Sequence, residues 1–275
     1  MIKGALRRLG WGLIAAGLLI GGAYVAARHA GAGKLELHDV RREPLSQSAE
    51  LVQGVLYRGA ADAGRLVALY MDPSAVELRV VANVERKRLA DIAPSAQLVM
   101  NAGYFTPEFR PTGLLVSQGH MISPFISSGG PAGSGVLLVE DERVDLLRRQ
   151  DVKARGFDAS TIAIQAGPRL IEADGGRGIR SDDGQHANRT FIGADARGWL
   201  ILGVVYRADG GLGGGPSLFE LQQILLDLKA TTASVAFALN LDGGPSTGLH
   251  LRGNDEINLA ESGPVYSAIT VQASW

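Results

Sequence analysis

The sequence predicts a single α+β domain: β-rich mixed sheets with one main helix and long glycine-rich loops. Three observations lead there. Short apolar runs alternate with turn residues along most of the chain. Only one long segment carries helical spacing. The 275 residues include 37 glycines and 11 prolines but no cysteine, so loops are abundant and disulfides play no part in the fold. Hydrophobic residues make up 46% of the chain, enough for a substantial core. The net charge of −1 comes without a basic stripe, which argues against nucleic acid as a partner.

The chain opens with Lys3, Arg7 and Arg8, followed by an uncharged run over residues 9–27 that Arg28 ends. A positive flank before an apolar run marks a signal peptide or an uncleaved membrane anchor over 1–33, and the run is at the short end for a span. Either way the positive flank stays in the cytoplasm and the remainder is exported, to the periplasm or another extracytoplasmic space. Residues 34–49 read as a linker or first edge strand, and 50–275 as the domain.

β-rich runs over 65–71 and 76–82 flank the turn Asp72-Pro73-Ser74. A short helix is expected over 86–92, before Pro94. Residues 97–100 lead as a strand into Asn101-Ala102-Gly103-Tyr104-Phe105. Strands 112–117 and 120–122 flank Gln118-Gly119, and strands 136–139 and 144–147 flank an acidic turn. Further strands are expected over 161–165, 189–194, 199–206, 235–241 and 268–273. The main helix is announced by Ser217-Leu218-Phe219-Glu220, a capping box in which the serine and the glutamate each satisfy the other's backbone N–H. Leu218, Leu221, Leu225 and Leu228 then recur on one helical face. Residues 123–134 and 174–188 read as long loops, which often border sites.

The most informative stretch is Asn240-Leu241-Asp242-Gly243-Gly244-Pro245-Ser246-Thr247-Gly248. A strand stops at an acid, and glycines and hydroxyls follow, so backbone can approach a ligand closely. Asp-Gly after a strand is also an ordinary turn signal. Three other polar strand ends stand beside it: Asn101 with Tyr104, Gln165 before Ala166-Gly167-Pro168-Arg169, and Asn188-Arg189-Thr190. Arginine suits bidentate recognition of an oxyanion. Glu220 is fully explained by the capping box, but it follows a glycine loop and opens a helix, where anions are favoured.

Several motifs fail on context. Gly244-Pro245-Ser246-Thr247-Gly248 matches G-x-S-x-G, but Leu249-His250-Leu251 alternates like a strand and no histidine follows His250. The glycine loop at 210–215 lacks a P-loop ending. His29, His38, His120, His186 and His250 show no zinc spacing. Of these, His186 lies three residues from Arg189. No cofactor or metal is implied.

Taken in order, NAGYF, IQAGPRLI, NRTFIGAD, SLFEL and NLDGGPSTG form a set that resembles the phosphodiester glycosidase family, which includes the uncovering-enzyme type of domain and bacterial exopolysaccharide-associated members. The likeness covers about residues 50–273. Ala102, Pro245 and Thr247 stand where the family commonly has Gly, Gly and Ser.

The resemblance implies an exported hydrolase that cleaves between a sugar anomeric carbon and phosphate, on a glycan or glycolipid phosphodiester of the N-acetylglucosamine-1-phosphodiester kind. On that reading Asp242 is the catalytic base or nucleophile and Glu220 a second carboxylate. Arg189, Thr190 and the N–H groups of Gly243 and Gly244 hold the phosphate, the last two as an anion nest. Asn101 and Gln165 hydrogen-bond sugar hydroxyls, Tyr104 contacts the substrate, and Ser246 and Thr247 touch sugar or phosphate. The alternative is a non-catalytic glycan-binding or exopolysaccharide-assembly protein on the same fold.

Overall fold

The computed structural model describes residues 33–273 except 153–155, 158, 208, 210, 212–213, 229–233 and 255–256. The expected signal or anchor lies outside these residues. Among the described residues no helix is long and apolar enough to cross a membrane.

Three antiparallel sheets form the domain. The largest has seven strands in the order β1 (Leu35–Pro44), β2 (Ala49–Arg58), β3 (Ala61–Met71), β13 (Leu200–Tyr206), β12 (Arg189–Ala194), β14 (Phe237–Asn240) and β11 (Arg169–Ile171). A second runs β7 (His120–Ser123), β6 (Leu115–Ser117), β10 (Ser160–Ala166), β8 (Gly135–Glu140) and β9 (Arg143–Arg148). The third runs β16 (Asn258–Leu259), β15 (Leu249–Leu251), β5 (Leu98–Asn101), β17 (Ser267–Gln272) and β4 (Glu77–Ala82). The helices are α1 (Leu89–Ile92) and α2 (Leu218–Leu228).

The seven-stranded sheet is buried on both faces, and the two-residue period of its strands shows why. Val67, Leu69 and Met71 of β3 and Leu200, Leu202 and Val204 of β13 face a core shared with Leu98 and Ile269 of the third sheet and Leu137 and Ile162 of the second. Leu66, Ala68, Tyr70, Ile201 and Val205 face the other way, against Leu221, Ile224, Leu225 and Leu228 of α2. The helix thus covers one side of the central sheet and the two smaller sheets cover the other.

Most turn signals fold as the sequence reads. Gln118 and Gly119 both take positive φ between the paired Ser117 and His120, the geometry of a two-residue hairpin. The capping box forms: the Ser217 N–H donates to Glu220 Oε2 at 3.0 Å and the Glu220 N–H to Ser217 Oγ at 3.2 Å. The first helix is shorter than the spacing over 86–92 predicts. Arg86 has φ +56°, outside the helical region. The Asn83 side chain also takes the Lys87 N–H and carbonyl, so helix begins only at Leu89. Strand β2 was not anticipated, because Gln53-Gly54 interrupts its apolar pattern.

Close sheet packing leaves no room at Gly193 of β12, where a Cβ would overlap the Phe237 carbonyl oxygen. Gly193→Ala is expected to cost about 2–3 kcal/mol, as overpacking does, read as a lower urea midpoint with unchanged m.

Candidate functional site

The site forms where the three sheets meet. Asn101 ends β5, Arg189 and Thr190 open β12, and β14 ends at Asn240, from which residues 241–248 cross to β15.

Asp242 is clamped by its own backbone. Its N–H donates to the Ala102 carbonyl at 3.1 Å, and its carbonyl accepts from Asn101 Nδ2 at 2.7 Å. Neighbouring bonds continue the clamp, from the Leu241 N–H to Thr190 O at 2.9 Å and from the Gly244 N–H to Asn188 O at 2.7 Å. The carboxylate accepts from the Gly243 N–H at 3.0 Å. The Ser246 hydroxyl lies between this carboxylate and the Pro264 carbonyl, 2.9 Å away, and its one proton serves either. Burial is the largest influence on Asp242 and outweighs both hydrogen bonds, pushing its pKa up to about 6. One edge of the residue remains open to solvent.

Arg189 lies beside Gly243, where a Cβ would come within 3.8 Å of its Cδ. Its Nε donates to Pro216 O at 3.0 Å and its Nη2 to Gln185 O. Among the described residues it pairs with no carboxylate, although burial works against its charge. A largely buried guanidinium held by two carbonyls, with Asp183 acting on it at longer range, has the chemistry to take an oxyanion. The Tyr104 phenol lies within the fields of both Asp242 and Arg189. It donates to Gly167 O at 2.8 Å and accepts from Asn240 Nδ2 at 2.5 Å.

Several of the predicted contacts have other work in this structure. Asn101 is fully buried, and its Oδ1 accepts from Thr190 Oγ1 at 2.8 Å and the Gly248 N–H at 3.1 Å. It therefore organises the site rather than touching sugar, and Thr190, also fully buried, is its partner rather than a phosphate ligand. Gln165 is saturated: Oε1 accepts from the N–H groups of Leu114 and Ile126, and Nε2 donates to the carbonyls of Ile126 and Gly133. It staples the 123–134 loop to β10. The N–H groups of Gly243 and Gly244, occupied by Asp242 Oδ1 and Asn188 O, make no open nest. Glu220 is held in the capping box and by Arg58 at 2.7 Å, with His186 at 3.4 Å, so it is no second carboxylate for Asp242. Ser246 bridges as described. Thr247 is buried, and its Oγ1 has no partner among the described residues.

Sequence reasoning did not give Asn240 and Asn188 their structural parts. Asn240 ends β14 and Asn188 immediately precedes β12, both buried, and an asparagine at a strand boundary beside a motif is the signal that could have found them. If Gln165 is structural, Gln165→Ala lowers the denaturation midpoint by an amount corresponding to about 2–3 kcal/mol, as thermal unfolding would show.

Among the described residues no three His, Cys, Asp or Glu side chains cluster as metal ligands. An open cleft of about 300 Å³ over β1 to β3, lined in part by Asp39, Arg41, Arg65 and Tyr206, shares no residue with the Asp242 site.

A family model for phosphodiester glycosidases matches residues 94–272, well over half of the chain and every strand that carries the site. The chain belongs to the phosphodiester glycosidase family. Membership implies glycosidase-type hydrolysis and a phosphodiester glycosidase-like domain. No curated protein matches the chain. Several solved structures share its fold. A hypothetical protein from Synechocystis aligns with a TM-score of 0.57 at 19% identity, covering 88% of this chain and 68% of the other. A protein of Burkholderia pseudomallei K96243, described as a candidate exported protein, aligns at 0.53 and 14% identity, covering 78% and 75%. At these identities the likeness concerns the fold alone.

Proposed function

We propose that this phosphodiester glycosidase hydrolyses the bond between a sugar anomeric carbon and phosphate in a glycan or glycolipid phosphodiester outside the cytoplasm. The observation that carries the reading is a desolvated carboxylate, Asp242, and a largely buried guanidinium, Arg189, that both act on the Tyr104 phenol. Arg189 holds the diester anion. The anomeric carbon–oxygen bond breaks with its electron pair passing to the phosphate oxygen, which leaves a phosphomonoester. Asp242 takes the proton of the water that attacks the oxocarbenium-like carbon, or attacks that carbon first and is displaced by water. Because phosphate leaves readily, the reaction needs little acid help, which fits a site in which Glu220 is engaged elsewhere.

The test is to incubate the purified chain with an N-acetylglucosamine-1-phosphodiester and other sugar-1-phosphodiesters and to measure free sugar and phosphomonoester. Release of both in equal amounts supports the reading, and the configuration of the first-formed sugar tells base from nucleophile. Tight binding of the same compounds without release would favour the glycan-binding or exopolysaccharide-assembly alternative. The feature that favours it is that, among the described residues, no second carboxylate acts on Asp242.

A further inference from the structure

The polar side chains around the open cleft over β1 to β3 have their hydrogen-bonding capacity free. Asp39, Arg41, Gln53 and Tyr206 line it, and among the described residues none of the four makes a side-chain hydrogen bond. Gln165 beside the Asp242 site, by contrast, makes four. Strand pairing sets Arg41, Gln53 and Val67 in one row across the sheet and Val55, Arg65 and Tyr206 in the next. The rows are two residues apart, so their side chains share a face. Val67 belongs to the core that the smaller sheets close. Val55, Arg65 and Tyr206 are only half-buried, so that cover ends at their row. β1 is bulged here: Asp39 has φ +49°, and the register shifts between His38 and Arg41. Bulges re-aim side chains and recur beside binding sites.

The chemistry of the cleft selects its ligand. Arg65 is engaged by Asp62 at 2.6 and 2.8 Å. The free charges, Asp39 and Arg41, oppose each other, so nothing here favours a polyanion. The apolar lining is two valines and one leucine, too little for a lipid chain. What is left is a mixture of donors and acceptors: a guanidinium donates, a carboxylate accepts, and an amide and a phenol do both. Sugar hydroxyls also do both, and the half-buried Tyr206 ring adds an apolar body beside its polar tip. A volume of about 300 Å³ suits a short stretch of such a ligand.

We propose that this cleft is an accessory glycan site, which binds a short stretch of neutral oligosaccharide and tethers the carbohydrate part of the substrate while the phosphodiester is cut at Asp242. The binding stands on the cleft alone, and its service to catalysis rests on the phosphodiester reading. The two sites share one sheet: Arg189 of β12 pairs with Val205 of β13, the strand that carries Tyr206, and neighbouring strands lie about 5 Å apart.

The experiment titrates neutral tetrasaccharides of glucose, galactose and N-acetylglucosamine into the full chain and follows it by NMR. At least one should shift the Gln53 side-chain amide and the Arg41 Nε–H. Arg41→Ala should weaken that binding about tenfold, and Asp242→Asn should leave it in place. The shifts in the unsubstituted chain keep the test independent of how a variant folds. With a sugar-1-phosphodiester that carries the bound tetrasaccharide, Arg41→Ala should raise KM by a similar factor at unchanged kcat. With a methyl phosphodiester it should change neither. No shift at the cleft with any of the three, shifts confined to the Asp242 site, or displacement of the sugar by inorganic phosphate overturns the proposal. Sugar release from phosphodiesters without cleft binding overturns only the accessory site. Cleft binding without sugar release overturns only the hydrolytic reading.

Discussion

Asp242→Asn is expected to abolish turnover while making the protein more stable at neutral pH. Removing a positioned base or nucleophile costs on the order of 10²–10⁴ in rate. The stability gain follows from burial. The folded-state pKa of Asp242 stands at about 6, above the ordinary carboxylate value of 3.8, so the fold prefers the neutral acid. As pH rises from about 4 to about 6, ionisation removes stability, and above pH 6 the whole penalty applies, on the order of 2–3 kcal/mol. Asparagine never ionises, so the variant should gain that amount at pH 7.5 and lose the advantage below about pH 4. Urea unfolding at both pH values checks this. In the wild type, kcat/KM should rise with pH through a midpoint near 6 as the carboxylate ionises. A variant that keeps full turnover removes Asp242 from the mechanism. Lost turnover without the pH-dependent gain removes the account of its environment.

The second large effect is structural. Asn101→Ala should lower stability by roughly 3–5 kcal/mol and lower turnover with it. The substitution strands three groups at once: the Thr190 hydroxyl, the Gly248 N–H and the Asp242 carbonyl. A buried polar group deprived of its partner loses more than the hydrogen bond itself was worth. Because Asn101 is buried and holds Asp242 through its backbone, the fall in kcat should exceed any change in KM. A sugar-contacting asparagine would chiefly raise KM without destabilising the fold. Paired denaturation and steady-state kinetics separate the two.

What the sequence made legible was local. The capping box before α2, the Gln118-Gly119 hairpin and the β-rich runs that form β3 and β13 depend on neighbours within a few residues, and all appear as read. The strand-end residues were also correctly singled out as unusual, and many of them converge at one place. Their duties were not legible. Whether Gln165 faces a ligand or a loop depends on where residues 126 and 133 come to lie, and Asn101 takes its meaning from residues 190, 242 and 248. Polar side chains at strand ends look alike in sequence whether they bind protein or substrate. β2 was hidden for a related reason: Gln53-Gly54 breaks a pattern that its position between β1 and β3 restores.

The long reach of Asn101 also sets when activity can arise. Its side-chain bonds span separations of 89, 141 and 147 residues. Loops of that length close late, after the chain entropy of the intervening strands has been overcome. Gly248 is synthesised 147 residues after Asn101, so a nascent or partly folded molecule has no orientated carboxylate until that separation is closed. Recovery of turnover during refolding should therefore lag behind the return of β-sheet signal, and the enzyme's first catalytic cycle would mark the docking of its three sheets.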